Sequence, residues 1–225
     1  MKVKDIRNHF IKELKNENFT VDRSGQKTIE LIGASFEADE PAIFGKVNQD
    51  YVDAELAWYE SQSTNIYDIR PDAEPPAAWL ASANKHGEIN SNYGKLIFDD
   101  KYYTQYHSAL DELIFNPDSR RATMIYTRPS IWMEWNENNK NDFICTNAVT
   151  YYYRNNSIDA VVQMRSNDVV YGYKNDYAWQ KYVLENFRKD YELAVDLDPG
   201  KIQLGKIIWQ VQNLHVYERH FNLVK

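Results

Sequence analysis

The sequence predicts an α+β chain, in which mostly antiparallel strands fill the second half and long amphipathic helices cover one face of the sheet. Three observations predict it. Apolar residues recur at helical spacing in residues 5–17, 48–62, 101–114 and 176–191, β-rich runs cluster between residues 121 and 172, and short turn signals part those runs.

In chain order, DIRNHFIKELKNE places Ile6, Phe10 and Leu14 on one face and predicts a helix over 5–17. DRSG, residues 22–25, reads as a turn, and TIELIGASF, residues 28–36, as a strand with Gly33 as a bulge. NQDYVDAELAWYESQ, residues 48–62, carries the stripe Val52, Leu56 and Tyr59 and predicts a strong helix, followed by a Pro- and Ala-rich loop. KYYTQYHSALDELI, residues 101–114, is a further amphipathic helix, closed by NPDSRR because Pro117 cannot continue it. RATMIYT, DFICTNAVTYYY and DAVVQMRSNDVVYG read as strands, the last two parted by the turn RNNS. DYAWQKYVLENFRKDY, residues 176–191, returns to helix, and GKIIWQVQNLHVY reads as two short strands around Gln212 and Asn213.

With 225 residues, 43% hydrophobic and 14% aromatic, the chain is long enough for a sizeable core. No linker or repeat interrupts it, so one domain over residues 1–225 is expected. The single cysteine excludes an intramolecular disulfide, the N-terminal MKVKDIRNHF is polar, and no apolar run reaches the roughly 20 residues of a membrane helix, so a reducing cytoplasm and no membrane are expected. A formal charge of -7 argues against a general nucleic-acid binder but leaves a phosphorylated small molecule open, since a few arginines in one pocket suffice for it. No Cys/His cluster has metal-ligand spacing, and no metal is expected.

Two stretches carry chemistry. Arg165 and Ser166 offer a guanidinium fork and a hydroxyl suited to a phosphate, with Asp168 on the same strand face as Ser166, although on these residues alone an exposed ion-pair patch is an open reading. Cys145 stands within CTN as either a small buried hydrophobe or a nucleophile.

The ordered motifs DRSG at 22, ELAWY at 55, STN at 63, NYG at 92, NPDSRR at 116, CTN at 145, RSND at 165, KND at 174 and LHVYERH at 214 resemble the thymidylate synthase family, most closely its phage branch acting on deoxycytidylate. The resemblance runs from about residue 20 to 221. It implies that family's fold, with one sheet face forming a homodimer interface, and 5,10-methylenetetrahydrofolate as cofactor. It implies Cys145 as the nucleophile that adds to C6 of a pyrimidine. A free thiol of pKa about 8.5 is only a few per cent ionised at neutral pH and needs a cationic neighbour, for which Arg165 is the candidate.

By the same resemblance, Glu55 works on the base through ordered water. Arg23, Arg165 and Ser166 hold the phosphate from one subunit, and Arg120 and Arg121 come from the partner across a two-fold axis. His215 and Tyr217 hold the deoxyribose, Asn175 and Asp176 the base, Asp168 the pterin, and Trp79 and Tyr93 complete the cofactor side, Tyr93 by ordering water near the base.

Thymidylate synthases carry asparagine where this chain has Asp176. Cytosine presents an N3 acceptor and an N4–H2 donor, the inverse of uracil, and a carboxyl group accepts from N4–H2 and, when protonated, donates to N3. Asp176 therefore predicts catalysis and selection of dCMP. Thr146 and Thr150, which depart from the wider family, are polar groups for a water that completes a 5-hydroxymethyl product. The implied activity is hydroxymethylation of dCMP for modified phage DNA in the cytoplasm of an infected cell, with other phage nucleotide-synthesis enzymes as further partners. Methylation of dCMP with dihydrofolate as product, and hydroxymethylation of dUMP, are the alternatives.

Overall fold

The computed structural model describes residues 1–22 and 25–225. They form a six-stranded mixed sheet in the order β1-β2-β6-β5-β4-β3, from Thr20–Val21, Lys27–Glu37, Thr123–Ile125, Thr146–Arg154, Ser157–Asp168 and Gln203–Tyr217 taken as β1 to β6. Neighbours run antiparallel except β5 and β6, which are parallel. A parallel pair needs a crossover, and the helix α7, Gly172–Ala194, supplies it. The other helices are α1 (Val3–Lys15), α2 (Gln49–Ser61), α3 (Ala77–Ser82), α4 (Tyr93–Phe98), α5 (Gln105–Phe115) and α6 (Ile131–Glu134).

Alternation along β5 buries Ile158, Ala160, Val162 and Met164 on one face, where they meet α7 through Trp179, Val183, Leu184 and Phe187. Tyr151 of β4 stacks on Phe187 at 4.5 Å between centroids, and Trp179 meets Tyr59 of α2 at 4.9 Å. The core therefore lies between this face of the sheet and helices α2, α4, α5 and α7. No helix among the described residues is long and apolar enough to cross a membrane.

The sequence reading places the main helices and strands and misses detail that other segments decide. The closing segment is one strand of fifteen residues, not two. Gly33 has φ +72°, but the pairs Ile32–Asn213 and Ala34–Val211 keep one register across it, so β2 kinks opposite Gln212 without an inserted residue. The helix expected from 101 starts at Gln105, because Tyr103 and Thr104 adopt left-handed backbone at φ 66° and 41° after a short 3-10 turn over Asp100–Tyr102.

Two further differences bear on the site. Helix α7 begins at Gly172, four residues before expectation, because the Asp168 side chain accepts hydrogen bonds from the backbone N–H of Val170 at 2.9 Å and Tyr171 at 2.6 Å and starts the turn. Helix α4 was not anticipated. Asn92 caps it by accepting from Lys95 N–H at 2.8 Å, and Gly94 lets it press against α2, since a Cβ there would lie 1.9 Å from the Tyr59 carbonyl oxygen.

Candidate active site

Cys145 immediately precedes β4, and its carbonyl accepts from the backbone N–H of Arg165 on β5 at 2.9 Å. The β4–β5 ladder then slips by one residue between Thr146 and Ala148. A bulge at this point re-aims the side chains beside the sulfur. Thr146 is fully buried, with its hydroxyl turned to the Tyr93 phenol.

The Arg165 guanidinium reaches the sulfur. Its Nη2 lies 3.4 Å from Cys145 Sγ, its Nε donates to the Ile144 carbonyl at 3.0 Å, and Nη2 also donates to the Phe143 carbonyl. One arginine thus fixes the three residues Phe143, Ile144 and Cys145. Burial nevertheless pushes the thiol up to about 11; Arg165 opposes this, while Asp176 and Asp142 add to it. The cationic neighbour is where the sequence placed it, and desolvation outweighs it.

Asp176 lies in the first turns of α7. Its Oδ2 accepts from Asn167 Nδ2 at 2.7 Å, and Asn167 Oδ1 accepts from Trp209 Nε1 at 3.2 Å. Burial and then the charge of Glu55 push the Asp176 carboxyl up to about 8, against the Asn167 hydrogen bond. Tyr93, buried on α4, faces the same space: its phenol is raised well above its ordinary value by burial and then by Asp176 and Cys145. A protonatable carboxyl, a phenol and the thiol therefore share one neighbourhood.

Glu55 is buried on α2. Its Oε1 accepts from the Tyr51 hydroxyl at 2.6 Å and from Trp79 Nε1 at 3.0 Å, while Trp79 Nε1 also lies 3.0 Å from the Tyr51 oxygen. Burial raises the Glu55 pKa, and both donors pull the other way. A carboxyl so placed has a pKa moved toward the range where proton transfer is useful. Trp79, expected on the cofactor side, has its indole N–H committed to this cluster.

The parallel pairing of β5 and β6 sets Ser166 beside Asn213 and Asp168 beside His215. His215 and Tyr217 meet edge to face at 4.9 Å, and burial lowers the His215 pKa, favouring a neutral ring. Asp168 spends Oδ1 on the turn into α7, whereas its buried Oδ2 accepts no hydrogen bond and lies 4.0 Å from His220 Nδ1. Asn175 is half-buried on α7, one residue before Asp176.

Other expected residues are not brought together within one chain. Arg120 and Arg121 are exposed on the turn between α5 and β3, and Arg121 Nε pairs with Glu112 at 2.9 Å. Arg23 lies outside the described residues. Thr150 donates to or accepts from Thr123 at 2.9 Å across β3–β4, so its hydroxyl is engaged there. Sequence reasoning missed Asn167 and Tyr51. Asn167 sits inside RSND and Tyr51 one helical turn before Glu55, but neither position alone signals the partner it finds.

The arrangement combines a thiol, an adjacent guanidinium, two carboxyl groups with raised pKa values and a strand-end histidine and tyrosine. Deoxycytidylate 5-hydroxymethyltransferases of Enterobacteria phages T4, T2 and T6 are 52% identical over 228 residues, spanning 100% of this chain and 89% of theirs. A thymidylate synthase of Buchnera aphidicola is 24% identical over 214 residues, spanning 91% of this chain and 75% of its own. The crystal structure of thymidylate synthase from T4 phage superposes with a TM-score of 0.71 at 22% identity, covering 93% of this chain and 77% of that one. The family model for thymidylate synthase matches residues 7–225, and the chain belongs to the thymidylate synthase family.

Proposed function

We propose that the chain is a deoxycytidylate 5-hydroxymethyltransferase: it transfers a one-carbon unit from 5,10-methylenetetrahydrofolate to C5 of dCMP and adds water, giving 5-hydroxymethyl-dCMP and tetrahydrofolate. Asp176 carries the reading. With its carboxyl raised to about 8, it is mostly protonated at neutral pH and offers cytosine both a donor for N3 and an acceptor for N4–H2. Uracil would leave these buried groups mispaired, at about 1–3 kcal/mol per group, enough for at least about a tenfold preference. The 52% identity to phage enzymes of that name supports the same substrate.

In this reading Cys145 Sγ, once deprotonated, adds to C6 of the base, and the displaced electron pair is drawn to N3, which takes the Asp176 proton. Glu55 moves protons at C5 and at the exocyclic position through water. Methylenetetrahydrofolate, when bound, supplies the electrophilic one-carbon unit. The buried Oδ2 of Asp168, which accepts no hydrogen bond among the described residues, fits an N–H donor of its pterin, and Trp79 and Tyr93 are the further residues proposed for the cofactor side. Thr146, a buried hydroxyl beside Cys145 that hydrogen-bonds Tyr93, is the polar group proposed to help place the water of the final addition.

The phosphate falls to Arg165, Ser166 and Arg23, with Arg120 and Arg121 of a second copy. The sheet face opposite α7 carries Tyr152, Val161 and Ile208 half-buried and the Gln163–Gln210 hydrogen bond at 3.2 Å, a mixed surface suited to an isologous dimer. Residues 1–225 act as one catalytic unit, in the cytoplasm of an infected cell, for modified phage DNA.

Product analysis by mass spectrometry, with dCMP and dUMP side by side, tests the reading. The expected product is 5-hydroxymethyl-dCMP with no rise in dihydrofolate absorbance. A 5-methyl product with dihydrofolate, or turnover of dUMP alone, overturns it.

A further inference from the structure

We propose that Asn167, locked by Trp209, dictates which oxygen of Asp176 carries the proton, and that this lock is a determinant of cytosine selection. The inference rests on the dCMP reading above. Trp209 Nε1 is a donor only, so the group facing it at 3.2 Å must be the Asn167 carbonyl oxygen. The Asn167 amino group then necessarily points the other way, where it meets Asp176 Oδ2 at 2.7 Å. An amino group only donates, so Oδ2 is held as an acceptor and the proton of the neutral carboxyl resides on Oδ1.

The lock is stiff because it is buried. Asn167 is 3% exposed and Trp209 0%. Turning the amide over would set its N–H against the indole N–H, leaving two buried donors facing each other. Gly172 keeps the approach open: a Cβ there would lie 3.1 Å from Asn167 Nδ2 and 3.9 Å from Asp176 Oδ2. The other groups that face Asp176 impose no such choice. Glu55 and Asp168 are acids, and the Tyr93 hydroxyl, which also hydrogen-bonds Asp176, can act as donor or acceptor, whereas the Asn167 amino group only donates.

A carboxyl polarised in this way matches cytosine in one sense only. Oδ1–H donates to N3 while the remaining lone pair of Oδ2 accepts from N4–H2. Against uracil, Oδ1–H would meet N3–H. As the thiolate sulfur bonds to C6, the C5–C6 π pair moves to C4–C5 and the C4–N3 π pair to N3, which takes the Oδ1 proton. The carboxylate left behind keeps the Asn167 hydrogen bond on Oδ2. Asn167 touches neither base nor sulfur in this scheme, so it is a positioning residue.

The test is steady-state kinetics with dCMP and dUMP on Asn167→Leu, which keeps the bulk and removes the donor. The expected result is a fall of at least about tenfold in kcat/KM for dCMP with that for dUMP unchanged or higher. A merely structural role would lower both together, and an unchanged ratio in folded protein overturns the inference. Trp209→Phe, which leaves Asn167 in place but frees its amide to turn over, is expected to move the ratio the same way by a smaller factor. It decides the matter if Asn167→Leu does not fold, an unchanged ratio again being fatal. In the Asp176→Asn background Asn167 holds the new amide by its oxygen, so adding Asn167→Leu is expected to raise dUMP turnover relative to dCMP; no change there also counts against the lock. Wild-type protein that makes no 5-hydroxymethyl-dCMP would instead sink the dCMP reading, and this inference with it, so the two failures are distinguishable.

Discussion

Arg165 Nη2 lies 3.4 Å from Cys145 Sγ, yet the thiol is held at about 11, because its burial and the neighbouring acids Asp176 and Asp142 outweigh one guanidinium. Cys145 is thus predominantly a neutral thiol at neutral pH, and whatever lowers the negative charge around it makes it more reactive.

Asp176 is the acid through which this coupling is testable. Below its pKa of about 8 it is neutral and adds little to the thiol; above it the carboxylate pushes the thiol up. Asp176→Asn should therefore alkylate with iodoacetamide at the wild-type rate near pH 7 and faster than wild type above pH 8. A rate ratio that stays constant across that range would show that the two groups do not interact.

The same carboxyl bears on stability. Its folded pKa is raised above the ordinary 3.8, so the protonated form favours folding, and that contribution is present at low pH and lost as pH rises through about 8. Thermal unfolding should show Asp176→Asn more stable than wild type at pH 9, with the gap narrowing at pH 6. Equal gaps at both values would mean the buried charge is not the cause.

Cys145→Ser should lower kcat by at least about a thousandfold while dCMP binding persists, since the hydroxyl is a poor nucleophile but fills the same space. With 5-fluoro-dCMP and methylenetetrahydrofolate, wild type should yield a covalent adduct by mass spectrometry and the variant none. Substantial turnover by the serine variant would refute the assignment.

Tyr51 and Trp79 both stabilise the ionised form of Glu55 by hydrogen bonding. Tyr51→Phe should consequently raise the Glu55 pKa further, and the acid limb of the kcat–pH profile should move to higher pH. Trp79→Phe should move it in the same direction if the indole N–H serves Glu55; a change in cofactor KM with an unmoved limb would assign Trp79 to the cofactor instead.

Arg120 and Arg121 are exposed within one chain, and the dimer reading gives them a site in the partner. Mixing inactive Cys145→Ser with an Arg120→Ala/Arg121→Ala variant should restore activity. Half the dimers are mixed and one site in each is intact, giving about a quarter of the full value. No recovery after subunit exchange would confine those arginines to their own chain.

The sequence by itself determined the main helices and strands, through apolar spacing that local geometry requires, and marked Glu55, Cys145, Arg165, Asp176 and His215 as candidate site residues through ordered motifs. Tertiary structure alone decided how those groups are tuned. Tyr51 and Trp79 meet on Glu55 from two helices, Asn167 joins Trp209 of β6 to Asp176 of α7, and Gly94 of α4 seats against Tyr59. Most of these contacts join segments far apart in the chain, where periodicity carries no information. Desolvation, which set the pKa of Cys145 against the expectation from its cationic neighbour, depends on everything packed around the sulfur and not on any motif that contains it.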